Sequence, residues 1–268
     1  MTLEVLVCTI DNGIDNIRNL LLTPTEGVSY LISWQHSLPN ENYAIPQELI
    51  RNDVKVVHIQ GRGLSRNRNN AISHATGDIC LIADDDCTYR PEYFNAIIDT
   101  FQKHHELDIA TFKHSNKHES KVYPATSFNL KHKAKGYFTS SIEVAFRRTS
   151  VQDKLWFNEL FGLGAPVLQS GEENIFILDA LKAGMNCRFF PIVIVKHNHP
   201  TTASTRAGNP GVIMAEGAYI SRAYTWTALP RLILKAIRLN KKNSLGLFKN
   251  LSLIFNGVLY IKHNTKLR

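Results

Sequence analysis

Short apolar runs alternate with helical segments near the start of the chain, and this alternation restricts the possible folds more than any other feature. The predicted strands cover residues 4–10, 28–34, 54–59 and 79–83, and a short helix is predicted over residues 14–22. Their spacing suits strand–helix–strand units. Such units build a parallel sheet flanked by helices, with ligand sites at the carboxyl ends of the strands.

Three consecutive aspartates, Asp84, Asp85 and Asp86, directly follow the fourth predicted strand. Carboxylates gathered at one strand end repel one another unless a cation lies among them. Hard oxygen ligands of this kind suit Mg²⁺ or Mn²⁺, which often bind together with a substrate diphosphate. The alternative is a solvated acidic turn, because structural ion pairs also gather carboxylates.

A basic, glycine-rich loop precedes the same strand and contains Arg62, Arg66 and Arg68. It leads into a helix for which Ser65 is the predicted N-cap and Gly77 the predicted stop. A helix N-terminus with arginines nearby attracts phosphate groups. Alone, the loop is equally typical of an ordinary strand-to-helix turn, but together with the aspartates it indicates a site for phosphate and metal.

Residues 61–94 contain the segment GLSRNRNNAISHATGDICLIADDDCTYRPEYF, which resembles the family 2 glycosyltransferases of the GT-A fold without gaps. The Arg-Asn pair of that family falls on Arg68 and Asn69. The resemblance is also strong over residues 157–185, and weaker over the remainder of residues 3–204.

The resemblance implies an α/β fold of the GT-A (Rossmann-like) type, with a mostly parallel central sheet flanked by helices. A GT-A catalytic domain is expected over residues 1–204, with a nucleotide-sugar half over about 1–115 and an acceptor half over about 116–204. Residues 205–268 are expected to form a basic, amphipathic helical tail.

The nucleotide site implied by the resemblance lies at the ends of the first, second and fourth strands. Ile10 stands where the family often has a base-stacking tyrosine, and Gln35 stands where an acidic residue is usual. Surface polar residues at strand ends are the alternative interpretation. The predicted nucleotide-binding residues are Thr9, Asp11, Gln35, Arg62, Arg68, Asn69, Asp84 and Asp85.

A metal site is implied by the same resemblance, with Asp86 as the principal ligand and Asp84 or Asp85 assisting. Enzymes of this fold commonly place a metal-binding histidine after a late strand. Both His197 and His199 occupy such a position, so the choice between them stays open, and a structural histidine is the alternative.

The catalytic base implied by the resemblance is Glu173, with Glu172 beside it, in the segment FGLGAPVLQSGEENIFILDALKAG. Ser170 and Glu173 also match a capping box before an apolar helix, so capping and catalysis are competing explanations of this carboxylate. Ser140, Ser141 and Glu143, in a strand predicted over residues 136–148, are candidates for contacts with sugar hydroxyls.

Charge is distributed unevenly along the chain. Residues 201–268 hold eleven Lys and Arg against one Glu, a charge of +10 within a total of +8. The predicted helical stripe of basic residues is Arg231, Lys235, Arg238 and Lys242, opposite Leu229, Leu232, Ile233, Ala236 and Ile237. This profile is typical of a helix on an anionic membrane surface. Helices packed on the main domain with a solvated basic face are the alternative.

These features together predict a metal-dependent, inverting hexosyltransferase at the cytoplasmic face of the plasma membrane. The family resemblance alone implies that its donor is a UDP-sugar and its acceptor a glycan or lipid-linked glycan of cell-surface polysaccharide such as lipopolysaccharide. The four cysteines lack metal-ligand spacing and are predicted to be reduced thiols. No signal peptide or apolar stretch long enough to span a membrane is recognised in the sequence.

Two other classes of protein remain as alternatives. A nucleotidyltransferase acting on sugar phosphates would have a glycine-rich phosphate loop after the first strand, where this chain has only Asn12 and Gly13. A nucleic-acid-binding protein would have aromatic residues among its basic ones, and residues 231–247 have none. We therefore expect no nucleic-acid partner.

Overall fold

The computed structural model of the protein describes residues 1–38, 43–116, 121–132, 136–197 and 208–265. It divides into two compact units. The first unit contains residues 1–62, 66–157 and 179–199, and the second contains residues 63–65, 158–178 and 200–268. The predicted boundary at residue 204 lies outside the described residues, so the proposed division into domain and tail stays a prediction.

The first unit contains one sheet, in which nine strands are found among the described residues. The strands are β1 (Leu3–Ile10), β2 (Val28–His36), β3 (Val54–Gln60), β4 (Ile79–Asp84), β5 (Cys87–Thr88), β6 (Ile109–Ser115), β7 (Phe128–Asn129), β8 (Val144–Arg147) and β9 (Cys187–His197). Their order is β3-β2-β1-β4-β8-β6-β9-β5, and β7 pairs with β9.

Most residue pairs in this sheet are parallel, which confirms the predicted α/β class. Strands β3, β2, β1 and β4 run parallel to one another, and β6 runs parallel to β9. Strand β8 is antiparallel to both of its neighbours. The register sets Cys8 beside Asp84 and Ile10 beside Gln35, so the carboxyl ends of β1, β2 and β4, with their polar residues, lie next to one another.

Four helices outside the C-terminal region complete the described α structure. They are α1 (Leu64–His74), α2 (Pro91–Lys103), α3 (Arg148–Val151) and α4 (Glu172–Lys182). In α2, Phe94, Ile97 and Phe101 recur at helical spacing and are buried in the main core of the first unit. All four cysteines are buried and outside any disulfide.

Three local predictions differ from the structure. The helix predicted over residues 14–22 is a 3₁₀ helix at Asp11–Asn19. The strand predicted over residues 136–148 is limited to β8, because a capping box between Ser140 and Glu143 forms a 3₁₀ turn before it. Ser65 lies inside α1 and donates its hydroxyl proton to the carbonyl of Phe161 at 2.6 Å, so the N-cap prediction was wrong.

The second unit contains three C-terminal helices, α5 (Pro210–Ala223), α6 (Ala228–Asn240) and α7 (Leu247–Thr265). They share an apolar core formed by Ile213, Leu232, Ala236, Leu239, Leu253, Ile254 and Val258. Gly217 of α5 and Gly257 of α7 permit the close approach of these two helices. A Cβ on Gly217 would lie 2.2 Å from the carbonyl oxygen of Ile254, so only glycine fits there. Among the described helices, none has the length and apolarity required to cross a bilayer.

Candidate functional site

Asp84, which is half-buried, and the buried Arg68 form an ion pair at the end of β4. The guanidinium of Arg68 donates to an Asp84 carboxylate oxygen at 3.0 Å, and its side chain is only 1% exposed. The ring of Phe157 lies 5.4 Å from the guanidinium carbon. Arg68 therefore fixes Asp84 in this structure, and direct contact with a phosphate would require the buried Arg68 side chain to become accessible.

Asp85 points towards the end of β1, where the hydroxyl of Thr9 donates to its carboxylate at 2.5 Å. Burial raises the pKa of Asp85 to about 6, and the negative charges of Asp84 and Asp86 act in the same direction. A Cβ on Gly13 would lie 2.4 Å from both the Asp85 carboxylate and the Thr9 hydroxyl, so glycine is required beside this pair.

Asp86 and His197 approach each other across the antiparallel pairing of β5 and β9. His197 Nε2 lies 3.1 Å from a carboxylate oxygen of Asp86, and Cys87 is the strand partner of His197. Carboxylate oxygen and imidazole nitrogen are both ligands that Mn²⁺ accepts, so this donor pair fits the predicted cation. Within the described ranges, no group of three or more His, Cys, Asp or Glu residues is arranged to hold a metal. His199 lies outside those ranges.

Asp11 and Gln35 occupy the ends of β1 and β2. The Asp11 carboxylate accepts hydrogen bonds from Ser37 through its backbone N–H (2.8 Å) and its hydroxyl (2.6 Å). Desolvation opposes these bonds, but together with the charge of Arg62 they hold the pKa of Asp11 below its usual value. Gln35 is 2% exposed, and its side-chain NH₂ has no hydrogen-bond partner in the described part of the chain.

Of the other predicted nucleotide ligands, Asn69 is hydrogen-bonded to the protein backbone and Arg62 is exposed. The Asn69 amide donates to the carbonyl of Phe157 at 3.0 Å and accepts from its N–H at 2.8 Å, so it fixes the backbone there. Asn67, which was not among the predicted ligands, donates to the Thr9 carbonyl at 2.9 Å. These two asparagines tie α1 to neighbouring chain segments, whereas Arg62 remains accessible.

In the second unit, α4 begins at the predicted acidic pair. Glu172 is 6% exposed, and its carboxyl group packs near Gly162, where an added Cβ would lie 3.2 Å away. Glu173 is half-buried and accepts a hydrogen bond from the Asn174 amide at 2.7 Å. The helix begins at Glu172 and the carbonyl of Gly171 accepts a hydrogen bond from the Ile175 N–H, so Gly171 occupies the N-cap position, and not Ser170 of the alternative capping box.

Glu143, a candidate for sugar contacts, instead lies at the centre of a buried polar cluster. Its carboxylate is fully buried and contacts the ring of His114 at 2.7 Å and the ammonium of Lys121 at 2.8 Å. It also accepts hydrogen bonds from the Tyr123 hydroxyl and the Ser140 N–H. Although burial alone would raise the pKa of Glu143, His114 and Lys121 hold it below its usual value.

This cluster borders the proposed metal pair, because the rings of His114 and His197 lie 6.4 Å apart edge to face. His114 and Lys121 were not identified from the sequence. Their segments are separated from Glu143 along the chain, and no local pattern indicates that they meet. Glu143 therefore belongs to a buried cluster close to His197 and is inaccessible to a sugar in this structure.

Sequence and structure comparisons agree on one group of proteins. The family model described as glycosyl transferase family 2 matches residues 24–160, about half of the chain. Among curated proteins, none matches the sequence.

The solved structures that resemble this chain include S. aureus TarS. The structure of TarS 1–349 has a TM-score of 0.59 at 17% identity, covering 82% of this chain and 65% of that one. The structure of TarS 1–349 in complex with UDP-GlcNAc has a TM-score of 0.58 at 14% identity, covering 98% and 92%. A longer TarS structure is covered over only 46% of its length. At these identities the likeness shows the fold.

Proposed function

Because the chain belongs to glycosyl transferase family 2, we propose that it transfers a sugar from a UDP-sugar to a glycan or lipid-linked acceptor. Membership of the family makes the protein a glycosyltransferase, as predicted, and its central sheet has the predicted GT-A fold. The donor proposal is supported by the likeness to TarS structures in complex with UDP and UDP-GlcNAc.

One observation carries the proposed donor site: the three aspartates at the end of β4 have three different partners. Asp84 forms an ion pair with Arg68, Asp85 accepts a hydrogen bond from Thr9, and Asp86 contacts the ring of His197. All three aspartates are half-buried, which the side chains of a solvated acidic turn would not be. The proposed nucleotide site also includes Asp11 and Gln35, and Arg62 is an exposed cation that would meet a phosphate.

Asp86 and His197 would hold a divalent cation, Mn²⁺ or Mg²⁺, whose charge would stabilise the leaving nucleoside diphosphate. The single carboxylate of Asp86 is compatible with this role, since Mg²⁺ is often bound by one or two carboxylates together with substrate phosphates. Arg68 has a positioning role in this proposal, because it fixes the neighbouring carboxylate of Asp84.

Glu173 is proposed as the general base of an inverting reaction. Its carboxylate would take the proton from the acceptor hydroxyl as that oxygen attacks the anomeric carbon opposite the leaving group. Glu173 is half-buried whereas Glu172 is 6% exposed, so Glu173 is the more accessible of the two carboxylates. Glu172 is the second candidate.

We place the acceptor at the cytoplasmic face of the plasma membrane, in the synthesis of cell-surface polysaccharide. Support for this part of the proposal comes from the charge of +10 on residues 201–268, which would attract an anionic lipid surface. A lipid-linked acceptor would then be presented to an enzyme that already lies on the same surface.

A thermal-shift assay tests the donor and metal site. We expect a UDP-sugar to raise the melting temperature of the protein, and Mn²⁺ to increase that rise, because ligand binding stabilises the folded state by mass action. Asp86→Asn should abolish the contribution of Mn²⁺ while leaving the unliganded melting temperature unchanged. Asp99→Asn, on the exposed face of α2, is the matched control and should behave like the wild type.

Unchanged Mn²⁺ dependence in the Asp86 variant would contradict the site assignment.

Product analysis tests the reaction class. Release of a nucleoside diphosphate supports sugar transfer, whereas release of pyrophosphate would support the nucleotidyltransferase alternative.

A further inference from the structure

Helix α6 carries two apolar stripes, and only one of them is buried. The buried stripe, in the core shared with α5 and α7, consists of Leu232, Ala236 and Leu239. The second stripe recurs every four residues, at the spacing of a single helix face. It consists of Leu229, Ile233 and Ile237, which are 57%, 42% and 40% exposed. The sequence alone placed members of both stripes on one apolar side.

Trp226 lies in the turn directly before α6. It precedes Leu229 by three residues and is 96% exposed. Such exposure is unusual, because tryptophan is highly buried on average in folded proteins. Its indole is suited to the boundary between lipid and water, where one part of the ring is apolar and its N–H is solvated. We call Trp226, Leu229, Ile233 and Ile237 the exposed ridge.

Basic side chains border the exposed ridge on the side away from the buried stripe. Arg238 lies in the last turn of α6, and Lys241 and Lys242 follow directly after its end; all three are exposed. The remaining basic residues of α6 have contacts within the second unit. Arg231 stacks 3.9 Å from the Tyr224 ring, and Lys235 pairs with Glu216 at 2.7 Å.

We propose that the exposed ridge and its basic flank dock the protein on an anionic lipid bilayer, with the four ridge side chains inserted at the interface. Charge complementarity selects this partner, since an apolar stripe beside lysine and arginine matches a lipid surface whose headgroups are negative. The docking surface goes beyond the sugar-transfer reaction and does not depend on it. It adds apolar insertion to the electrostatic attraction that the charge of the tail alone would supply.

Trp226 fluorescence tests the insertion directly. In a Trp156→Phe background, the other tryptophan is Trp34, which is 3% exposed and contributes a constant signal. Vesicles of phosphatidylcholine containing phosphatidylglycerol should shift the Trp226 emission to shorter wavelength, and brominated lipids should quench it. Phosphatidylcholine vesicles alone should have a much smaller effect. No shift and no quenching with anionic vesicles would overturn the proposal.

Vesicle sedimentation without donor or acceptor tests the ridge as a binding surface, independently of the proposed enzyme activity. The double variant Leu229→Ser with Ile233→Ser should lose about tenfold or more of the affinity for anionic vesicles. Ile50→Ser, which changes another exposed apolar side chain of 64% exposure, is the matched control and should bind like the wild type. High salt should weaken wild-type binding without abolishing it, because screening does not affect the apolar contribution.

The melting temperature of each variant serves as the check on folding, and Trp226→Ser provides a second test should the double variant fail to fold. Wild-type affinity in the folded double variant would overturn the proposal. So would complete loss of wild-type binding at high salt, which indicates electrostatic attraction alone. If size-exclusion chromatography shows self-association that the ridge variants remove, while vesicles do not bind, the surface binds a second copy of the chain instead.

Discussion

At the scale of single residues, Asp85 gives the folded protein a measurable dependence on pH. Its pKa is raised from 3.8 to about 6, first by burial and then by the charges of Asp84 and Asp86. The folded protein therefore keeps a proton that the unfolded chain releases between these values. The contribution of Asp85 to the free energy of unfolding must then fall as the pH rises from about 4 to above 6.

We expect Asp85→Asn to remove this contribution, since the amide does not titrate and its oxygen can still accept the hydrogen bond from the Thr9 hydroxyl. Urea unfolding of both proteins across this pH range, with a chelator present, measures the difference. The stability of the variant relative to the wild type should increase with pH. A constant difference would contradict the raised pKa. Asp11 and Glu143, whose pKa values are lowered, act in the opposite direction but equally in both proteins.

Glu173→Gln separates catalysis from helix stabilisation at the start of α4. The amide keeps the shape of the side chain but cannot take a proton, and loss of a general base costs about 10²–10⁴-fold in rate. Loss of one negative charge near a helix N-terminus costs only about 0.3–1 kcal/mol. We therefore expect a folded variant that binds the donor and is almost inactive. Steady-state rates and donor-induced thermal shifts check both parts.

Glu172→Gln serves as the comparison for Glu173→Gln. Near-normal turnover in the Glu173 variant, together with loss of activity in the Glu172 variant, would assign the base to Glu172.

At the scale of elements, the sequence predicts the strands well because a parallel sheet buried on both faces requires nearly continuous apolar runs. The four strands predicted near the start of the chain lie within β1 to β4. Element ends are predicted less well, because side-chain contacts from distant segments decide them. Ser65 bonds the carbonyl of Phe161, and Ser140 forms a capping box with Glu143 where a strand was expected.

For the candidate site, too, the sequence predicts the local pattern but not the contacts between distant segments. Consecutive aspartates at a strand end are visible in the sequence, but the partner of each one is not. The pairing of Asp85 with Thr9, the pairing of Asp86 with His197 and the burial of Arg68 all depend on how separate strands and helices are aligned in the fold. Likewise, helical periodicity locates the apolar residues of α6, but the packing of α5 and α7 decides which of them are buried.

The crossing of α5 and α7 is an element-level feature that a single methyl group should disturb. A Cβ on Gly257 would lie 1.9 Å from the carbonyl oxygen of Met214. Gly257→Ala improves helix propensity by about 1 kcal/mol, but the clash with backbone forces the helices apart. We expect a lower melting temperature for this variant. Ser252→Ala, on the exposed face of the same helix, is the control and should be neutral or slightly stabilising.

A melting temperature of Gly257→Ala equal to or above that of the wild type would show that the two helices separate without cost. The crossing would then not be closely packed at this position.

At the scale of the whole molecule, the C-terminal helices have two roles that a truncation cannot separate. Removing residues 225–268 would delete the basic charge and the exposed ridge, but it would also uncover the apolar side chains of α5. Ile213 lies in the core shared with α6 and α7, and Ala215 and Ala218 lie in a cluster that includes Ile261 of α7. Loss of vesicle binding by such a chain would therefore be ambiguous.

We expect the chain ending at Tyr224 to show low soluble yield and a broad or lowered thermal transition, since an uncovered apolar helix face promotes aggregation. The Leu229→Ser, Ile233→Ser variant keeps the shared core, and substitutions at exposed positions usually change stability by about 0.5 kcal/mol or less. It should therefore melt like the wild type. A truncated chain as soluble and stable as the full protein would show that α5 does not need α6 and α7 as cover.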